Sequence, residues 1–249
     1  DLWPGVGDYD FNDLVIEYQY VYLTNADGDV VSIKPNYLIT AIGASYKNGF
    51  GFQLDVAPGD IASVTGQMIT ENYLSIAANG TELGQSKATI IAFDHSKKAF
   101  SATGGTGLFQ NTVVTEPYQT PDTIKMMVNL NSPTDAATIG VGPHNPSLIV
   151  NRIRGREVHL MNEEPTDLVN ANYFGSKSDD SEPNQGKYYT STKGLPWAMN
   201  LPVSFKYPSE KQKISKGYLF FTSWINSGGT LNTDWYLYQP ANVNDAHLY

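Results

Sequence analysis

Alternation of large apolar and polar residues along the chain predicts β-strands. Across residues 14–23, apolar or aromatic side chains recur at every second position, which is the period of a half-buried strand. The pair Asp27-Gly28 then predicts a tight turn, and residues 30–33 return as the second arm of a hairpin. The start of the chain is therefore expected to be an antiparallel β-ribbon.

A second hairpin is predicted over residues 38–46 and 50–56. Asn48-Gly49 lies between these runs, and this pair favours the positive φ angles of a two-residue turn. Phe50 and Phe52 begin an apolar face with period two, so this arm is expected in the core. Shorter strands are predicted at residues 89–93, 123–130, 147–150 and 157–160.

The period changes to that of a helix near the C-terminus. Ser209 and Gln212 have the spacing of a capping box, and Gly228-Gly229 supplies a C-cap. Apolar or small residues follow a helical spacing at Ile214, Gly217, Tyr218, Phe221 and Ile225. The whole pattern predicts a mainly β fold over residues 1–249: one antiparallel, jelly-roll-like β-sandwich domain with one C-terminal α-helix and long loops.

Composition narrows the classes of partner. Hydrophobic residues make up 41 %, enough for a sizeable core, and the net charge of −9 argues against nucleic acid and fits a bound cation. The chain has no cysteine, which excludes disulfides, thiolate catalysis and cysteine-based zinc sites. No apolar run approaches the ~20 residues of a membrane span. Because the chain begins at Asp1 inside a motif, we expect that upstream residues, with an export signal or a lipid anchor, precede it.

An acidic stretch near the start of the chain carries the main candidate chemistry. In an extended backbone Asp8, Asp10 and Asn12 would share one face, and Tyr9 and Phe11 would share the other. Ca²⁺ prefers oxygen ligands, and EF-hand loops deliver them at this alternate spacing. The stretch therefore predicts a calcium site with the ligands Asp8, Asp10, Asn12 and Asp13.

Two observations keep an alternative open. The sixth position of the loop is Asp13 rather than glycine and the twelfth is Gln19 rather than glutamate, so this is not an EF-hand. The other interpretation is a polar turn that leads into a strand, with Asn12 and Asp13 bonding to local backbone. The same spacing recurs at Asn25, Asp27 and Asp29, where the predicted hairpin turn explains each residue.

The motifs resemble those of the LruC-domain family of bacterial envelope and secreted proteins, many of them lipoproteins. The resemblance rests on residues 1–4 and 7–15, and on later segments at residues 156–160, 165–166, 195–198, 207–210 and 224–229. It implies an extracytoplasmic β-rich domain with a calcium site at the acidic motif, and it supplies no reaction.

Other constellations are weaker. Glu157 and His159 lie two apart on a predicted strand, where they form either a structural pair or part of a metal or acid–base site, although zinc needs about three protein ligands. A glycosidase needs two carboxylates across a cleft, and the sequence does not pair its candidates. These candidates are Asp55, Glu71, Glu116 and Asp122, of which Asp55 could also complete the calcium site if its strand lies beside the acidic motif. Trp197, beside a proline in an irregular segment, is the predicted exposed ring for stacking on a sugar.

The sequence thus favours an extracytoplasmic, non-enzymatic calcium-binding domain at the bacterial cell envelope or in the secreted fraction. Its role would be binding or adhesion, with a glycan or a protein as ligand. Two alternatives remain: a carbohydrate-active hydrolase with a loop-built carboxylate cleft, and a purely structural envelope protein.

Overall fold

The computed structural model describes residues 3–100 and 108–249, and two antiparallel sheets form its centre. The strands are β1 (Val15–Thr24), β2 (Val30–Ala41), β3 (Gly49–Leu54), β4 (Ile61–Thr65), β5 (Ala88–Phe93), β6 (Thr123–Lys125), β7 (Met127–Thr134), β8 (Pro146–Ile149) and β9 (Glu157–His159). The first sheet has the order β1-β2-β7-β4, with β6 also paired to β2, and the second has the order β5-β3-β8-β9. The predicted mainly β fold with stacked antiparallel sheets is confirmed.

The helices are short. They are α1 (Ser96–Ala99), α2 (Ala136–Ile139), α3 (Ile214–Gly217) and α4 (Phe221–Asn226), with 3₁₀ turns at Pro58–Asp60, Val150–Arg152, Ala171–Tyr173, Pro183–Gln185 and Asp245–His247. Across residues 3–100 and 108–249, no helix has the length and apolar character needed to cross a membrane.

The core lies between the two sheets, and the alternation of the sequence explains it. Ile33 of β2 is fully buried, as are Phe52 and Leu54 of β3. Along β2 the side chains alternate between buried and partly exposed, whereas every residue of β5 is buried. A strand that is covered on both faces loses the polar half of its pattern.

The first predicted hairpin is confirmed. Strands β1 and β2 pair antiparallel, and Thr24 lies opposite Val30 at the turn. Gly28 adopts the positive φ angle that the turn requires, at +91°. β2 extends well beyond the predicted arm, to Ala41, because β6 and β7 pair along its length.

The second predicted hairpin is wrong. β3 pairs with β5 and β8 in the second sheet, so Asn48-Gly49 connects the sheets and does not close a turn between neighbours. A Cβ atom on Gly49 would lie 2.6 Å from the hydroxyl oxygen of Tyr73, so this glycine permits a close approach. The predicted strand over 123–130 is interrupted at Met126, and β4 was not predicted.

The single C-terminal helix is also wrong, because the segment forms two short helices. The amide of Leu219 donates to the carbonyl of Asn242 at 2.9 Å, and this tertiary bond interrupts the helical pattern between α3 and α4. Ser209 accepts a bond from the amide of Gln212 in a turn, and α3 begins only after Lys213. The predicted C-cap is present, since the amide of Gly229 donates to the carbonyl of Trp224 at 2.9 Å.

Candidate functional site

The segment that precedes β1 is hydrogen-bonded to the C-terminal half of the chain. Trp3 is fully buried, and its indole nitrogen donates to a carboxylate oxygen of Asp179 at 2.8 Å. The guanidinium of Arg156 donates to the carbonyl of Trp3, at 2.6 and 3.0 Å. Further along, the carbonyl of Tyr9 accepts from the amide of Ile214 at 2.8 Å. Residues before and within the acidic motif are therefore held in place by hydrogen bonds to residues far away in sequence.

The motif itself is a loop with a twisted backbone, so the predicted alternation of faces on an extended strand is wrong. Tyr9 and Phe11 have φ angles of +57° and +54°, in the left-handed region that bulky residues rarely adopt. The predicted apolar anchor is present nevertheless, because Tyr9 is buried and the Phe11 ring packs edge-on against Phe221 at 6.2 Å. Such strain persists only where the surrounding structure enforces it.

Three carboxylates from the two ends of the chain meet at this loop. Asp8, Asp10 and Glu210 each offer one oxygen, and the three oxygens lie within 4.8 Å of one another. Asp10 is only 2 % exposed, and its carboxylate accepts from the amides of Asn12 and Lys211 at 3.2 and 3.1 Å. Of the predicted ligands, Asp8 and Asp10 are therefore brought together, and Glu210 joins them.

Glu210 was missed as a site residue. It lies in the segment 207–210, which carried part of the family resemblance, but nothing in the local pattern places that segment beside the start of the chain. The signal that could have pointed to it is the presence of two motif segments at opposite ends of the sequence.

The surroundings of the three carboxylates disfavour their charged forms. Burial and, after it, the charges of Asp8 and Asp13 together raise the pKa of Asp10 from 3.8 to about 7, although the hydrogen bonds from the Asn12 and Lys211 amides oppose this rise. Burial, followed by the charge of Asp8, also raises the pKa of Glu210. A cation or protons must compensate these groups.

Asn12 holds the loop in place. Its side-chain amide donates to the carbonyl of Pro208 at 3.0 Å, and its own carbonyl accepts from the amide of Gly43 at 2.8 Å. Its side-chain oxygen is buried and finds no hydrogen-bond donor among the described residues. A Cβ atom on Gly43 would lie 1.8 Å from that oxygen, so only glycine fits there. Asp13 does not belong to the group of three carboxylates.

Trp197 does not form an exposed platform. It is 1 % exposed, in a cluster with Trp3 and Tyr189, and its indole nitrogen donates to the carbonyl of Gly5 at 3.2 Å. The predicted sugar-stacking role of this ring is therefore wrong, because tertiary packing covers an aromatic that its irregular segment suggested to be free.

Two of the four carboxylate candidates for a hydrolase are paired with cations. Asp55 forms an ion pair with Lys87 at 2.8 Å and is not part of the three-carboxylate group. Glu71 is paired with Lys98 at 2.7 Å and with Arg152 at 3.0 Å. Their charges are therefore compensated by neighbouring basic side chains.

Glu157 and His159 form part of a buried network. Both side chains are fully buried and lie 3.3 Å apart, and Glu157 also accepts from the backbone amide of Thr166 and from Arg154. Arg154 in turn donates to both carboxylate oxygens of Glu82, from Nε at 2.5 Å and from Nη2 at 2.7 Å. Burial alone would raise the pKa of Glu157, but its bonds from His159 and Arg154 lower it to about 2. This enclosure favours the structural interpretation of the pair.

Fold and site together define a β-sandwich domain whose N-terminal acidic loop is packed against its C-terminal segment. The chain belongs to the family described as "Domain of unknown function (DUF4842)", whose profile matches residues 28–236. That match begins after the acidic loop. The LruC resemblance stays a prediction.

The fold is shared with a solved structure. A crystal structure from Bacteroides ovatus, described as a "Putative lipoprotein", has 19 % sequence identity to this chain and a TM-score of 0.70. The similarity covers 100 % of this chain and 73 % of the other, and at this identity it shows the fold alone. Among curated proteins, none matches this sequence.

Proposed function

We propose that this chain is a binding domain of the bacterial cell envelope in which Ca²⁺ joins the two ends of the fold. The observation that carries the proposal is the meeting of Asp8, Asp10 and Glu210, whose oxygens lie within 4.8 Å of one another. Calcium–oxygen distances are about 2.3 to 2.6 Å, so two ligands on opposite sides of one ion are separated by up to about 5 Å. The spacing of the three carboxylates suits a shared ion.

The chemistry of the donors favours Ca²⁺ over other metals. Carboxylate oxygens are hard ligands, and the described residues of the cluster offer neither imidazole nor thiolate. Mg²⁺ demands a compact octahedron, whereas Ca²⁺ accepts irregular sets of six to eight oxygens, including backbone carbonyls and water. An ion here would also compensate the burial and the neighbouring charges that raise the pKa of Asp10.

The structural consequence of the ion would be to hold the ends of the chain together. Asp8 and Asp10 precede β1, whereas Glu210 precedes α3. Ca²⁺ bound only by the native state would stabilise it by mass action. The domain would then present its loops in a fixed arrangement only where calcium is abundant, which fits an extracytoplasmic location.

The test is a calcium titration by calorimetry together with a thermal melt of chelated protein. Saturating Ca²⁺ should raise the melting temperature of the wild type by about 5 to 10 °C. The double variant Asp8→Asn/Glu210→Gln should lose both the binding heat and this gain. The control Asp27→Asn/Glu163→Gln makes the same charge change at exposed positions and should behave like the wild type. Coincident melts of chelated and calcium-loaded wild type would contradict the proposal.

The shared fold with the lipoprotein described from Bacteroides ovatus supports an envelope location, with a lipid anchor upstream of the chain. We propose a surface glycan or protein as the ligand, bound at loops that the ion orders. Glycan and protein arrays probed with wild type in Ca²⁺ and in chelator test this. Binding that appears only with Ca²⁺ and is lost in Asp8→Asn/Glu210→Gln is expected, whereas equal signals under both conditions would separate binding from the ion.

A further inference from the structure

A groove of about 500 Å³ opens along one side of the sandwich. It lies where β1, at the edge of the first sheet, approaches β9, at the edge of the second, and the irregular segment 197–205 covers its outer side. Its volume falls within the range of about 300 to 1,000 Å³ that is typical of small-molecule sites.

The floor of the groove is continuous with the apolar interior. Tyr37 and Phe50 from the first and second sheets form one part of it, and Leu148 and Val158 form another. These side chains belong to the buried clusters or pack against them. The two sheets therefore separate at this side, and the covering segment fills the gap only in part. Such a floor suits the apolar body of a ligand.

The rim is polar and bridged by side chains. The hydroxyl of Tyr18 donates to the side-chain oxygen of Asn200 at 2.9 Å, and the hydroxyl of Ser204 donates to the carboxylate of Glu17. Within the described part of the chain, the charged side chains that line the groove are Asp13 and Glu17, both acidic. Tyr18 and Tyr20, whose rings meet edge-on at 5.7 Å, lie on the same wall.

We propose that this groove binds an amphipathic ammonium compound, with its apolar body between the sheets and its cationic head at the rim beside Glu17. Carboxylates and tyrosine faces both attract an ammonium group, through charge and through the ring quadrupole. An anionic head group would meet two carboxylates and a protein of net charge −9. A neutral head group would gain the apolar contacts but not the attraction at the rim.

Three probes with the same alkyl chain test this: dodecyltrimethylammonium, dodecyl maltoside and dodecyl sulfate, each below its critical micelle concentration. Calorimetry gives the affinity and the stoichiometry of each probe. The ammonium probe should bind one to one and tightest, the maltoside more weakly and the sulfate weakest. Equal affinity for the ammonium and sulfate probes, or binding of none of the three, would overturn the proposal.

Two variants locate the site. Glu17→Gln should weaken the ammonium probe about three- to fivefold, reduce the salt dependence of its binding and leave the maltoside unchanged. Ala198→Trp should fill the groove and remove binding of both, whereas Ala62→Trp, exposed on β4 at the opposite edge of the sheet, should not. Unchanged ammonium binding in Glu17→Gln would overturn the assignment even if Ala198→Trp did not fold. Asp8→Asn/Glu210→Gln should retain probe binding, which separates this groove from the proposed calcium site.

Discussion

Two stretches of this chain carry oxygen-bearing side chains at alternate positions, and they have different structures. The first consists of Asp8, Asp10 and Asn12, and the second of Asn25, Asp27 and Asp29. In the second stretch the side-chain oxygen of Asn25 accepts from the amides of Asp27 and Asp29, at 3.0 and 2.9 Å. This loop closes the hairpin between β1 and β2 with bonds drawn from its own five residues.

The first stretch depends on distant partners. Asp10 accepts from the amide of Lys211, Asn12 donates to the carbonyl of Pro208, and Glu210 brings a third carboxylate beside Asp8. Local bonds therefore do not complete this loop. Alternate spacing therefore provides oxygen atoms but does not decide what they bind. Whether they form a turn or a cation site depends on what the rest of the fold brings to them.

The largest expected effect comes from removing the apolar contact that supports the first loop. The Phe11 ring of the first loop packs against Phe221, which is 2 % exposed. Phe221→Asp should lower the free energy of unfolding by about 3 to 5 kcal/mol, because it buries an unpaired charge. It should also abolish calcium binding, since it removes the anchor of the acidic loop. Chemical denaturation and calorimetry measure the two effects.

The neighbouring residue provides the control for this change. Phe220 is 37 % exposed, so Phe220→Asp should alter the free energy of unfolding by less than about 1 kcal/mol. Equal denaturation midpoints for the two variants would show that the loop does not depend on the buried ring.

A smaller effect is expected at the glycines beside the two loops. Gly43→Ala would place a methyl group on the Asn12 side chain and should cost about 2 to 4 kcal/mol, whereas the space around Gly28 is open. Gly28→Ala should cost only about 1 kcal/mol, from its positive φ angle. In a double-mutant cycle with Asn12→Ala, the cost of Gly43→Ala should fall. Additive costs would show that the two residues do not compete for space.

The strands of this fold could be predicted because alternation is a local property. β1, β5, β8 and β9 lie close to their predicted positions, since each sets an apolar face against the core. The partner of a strand is not local, and so the pair Asn48-Gly49 suggested a hairpin where the chain crosses between sheets. Its glycine is explained by the approach of Tyr73, which no sequence pattern reveals.

The same limit applies to the candidate site. Asp8 and Asp10 could be identified as donors from their residue types, but Glu210 reaches them only through the folded chain. Trp197 lies in an irregular segment that suggested exposure, yet burial of the ring beside Trp3 decides its environment. The single helix predicted between residues 209 and 229 is absent for a similar reason. The hydrogen bond from the amide of Leu219 to the carbonyl of Asn242 interrupts it, and nothing in the local sequence reveals that partner.

A further expected effect is a pH dependence of the acidic loop, which is spread over several pH units. The pKa of Asp10 is raised from 3.8 to about 7, so between these values the calcium-free native state holds a proton that the unfolded chain has released. Its free energy of unfolding should therefore fall as pH rises from about 4 to about 7. Calcium must displace this proton, and its affinity should rise up to about tenfold per pH unit until about pH 7. Calorimetry at several pH values, in two buffers of different ionisation enthalpy, measures the affinity and the protons released. A calcium affinity that stays constant between pH 5 and about pH 7, with no proton release, would show that Asp10 is not a ligand.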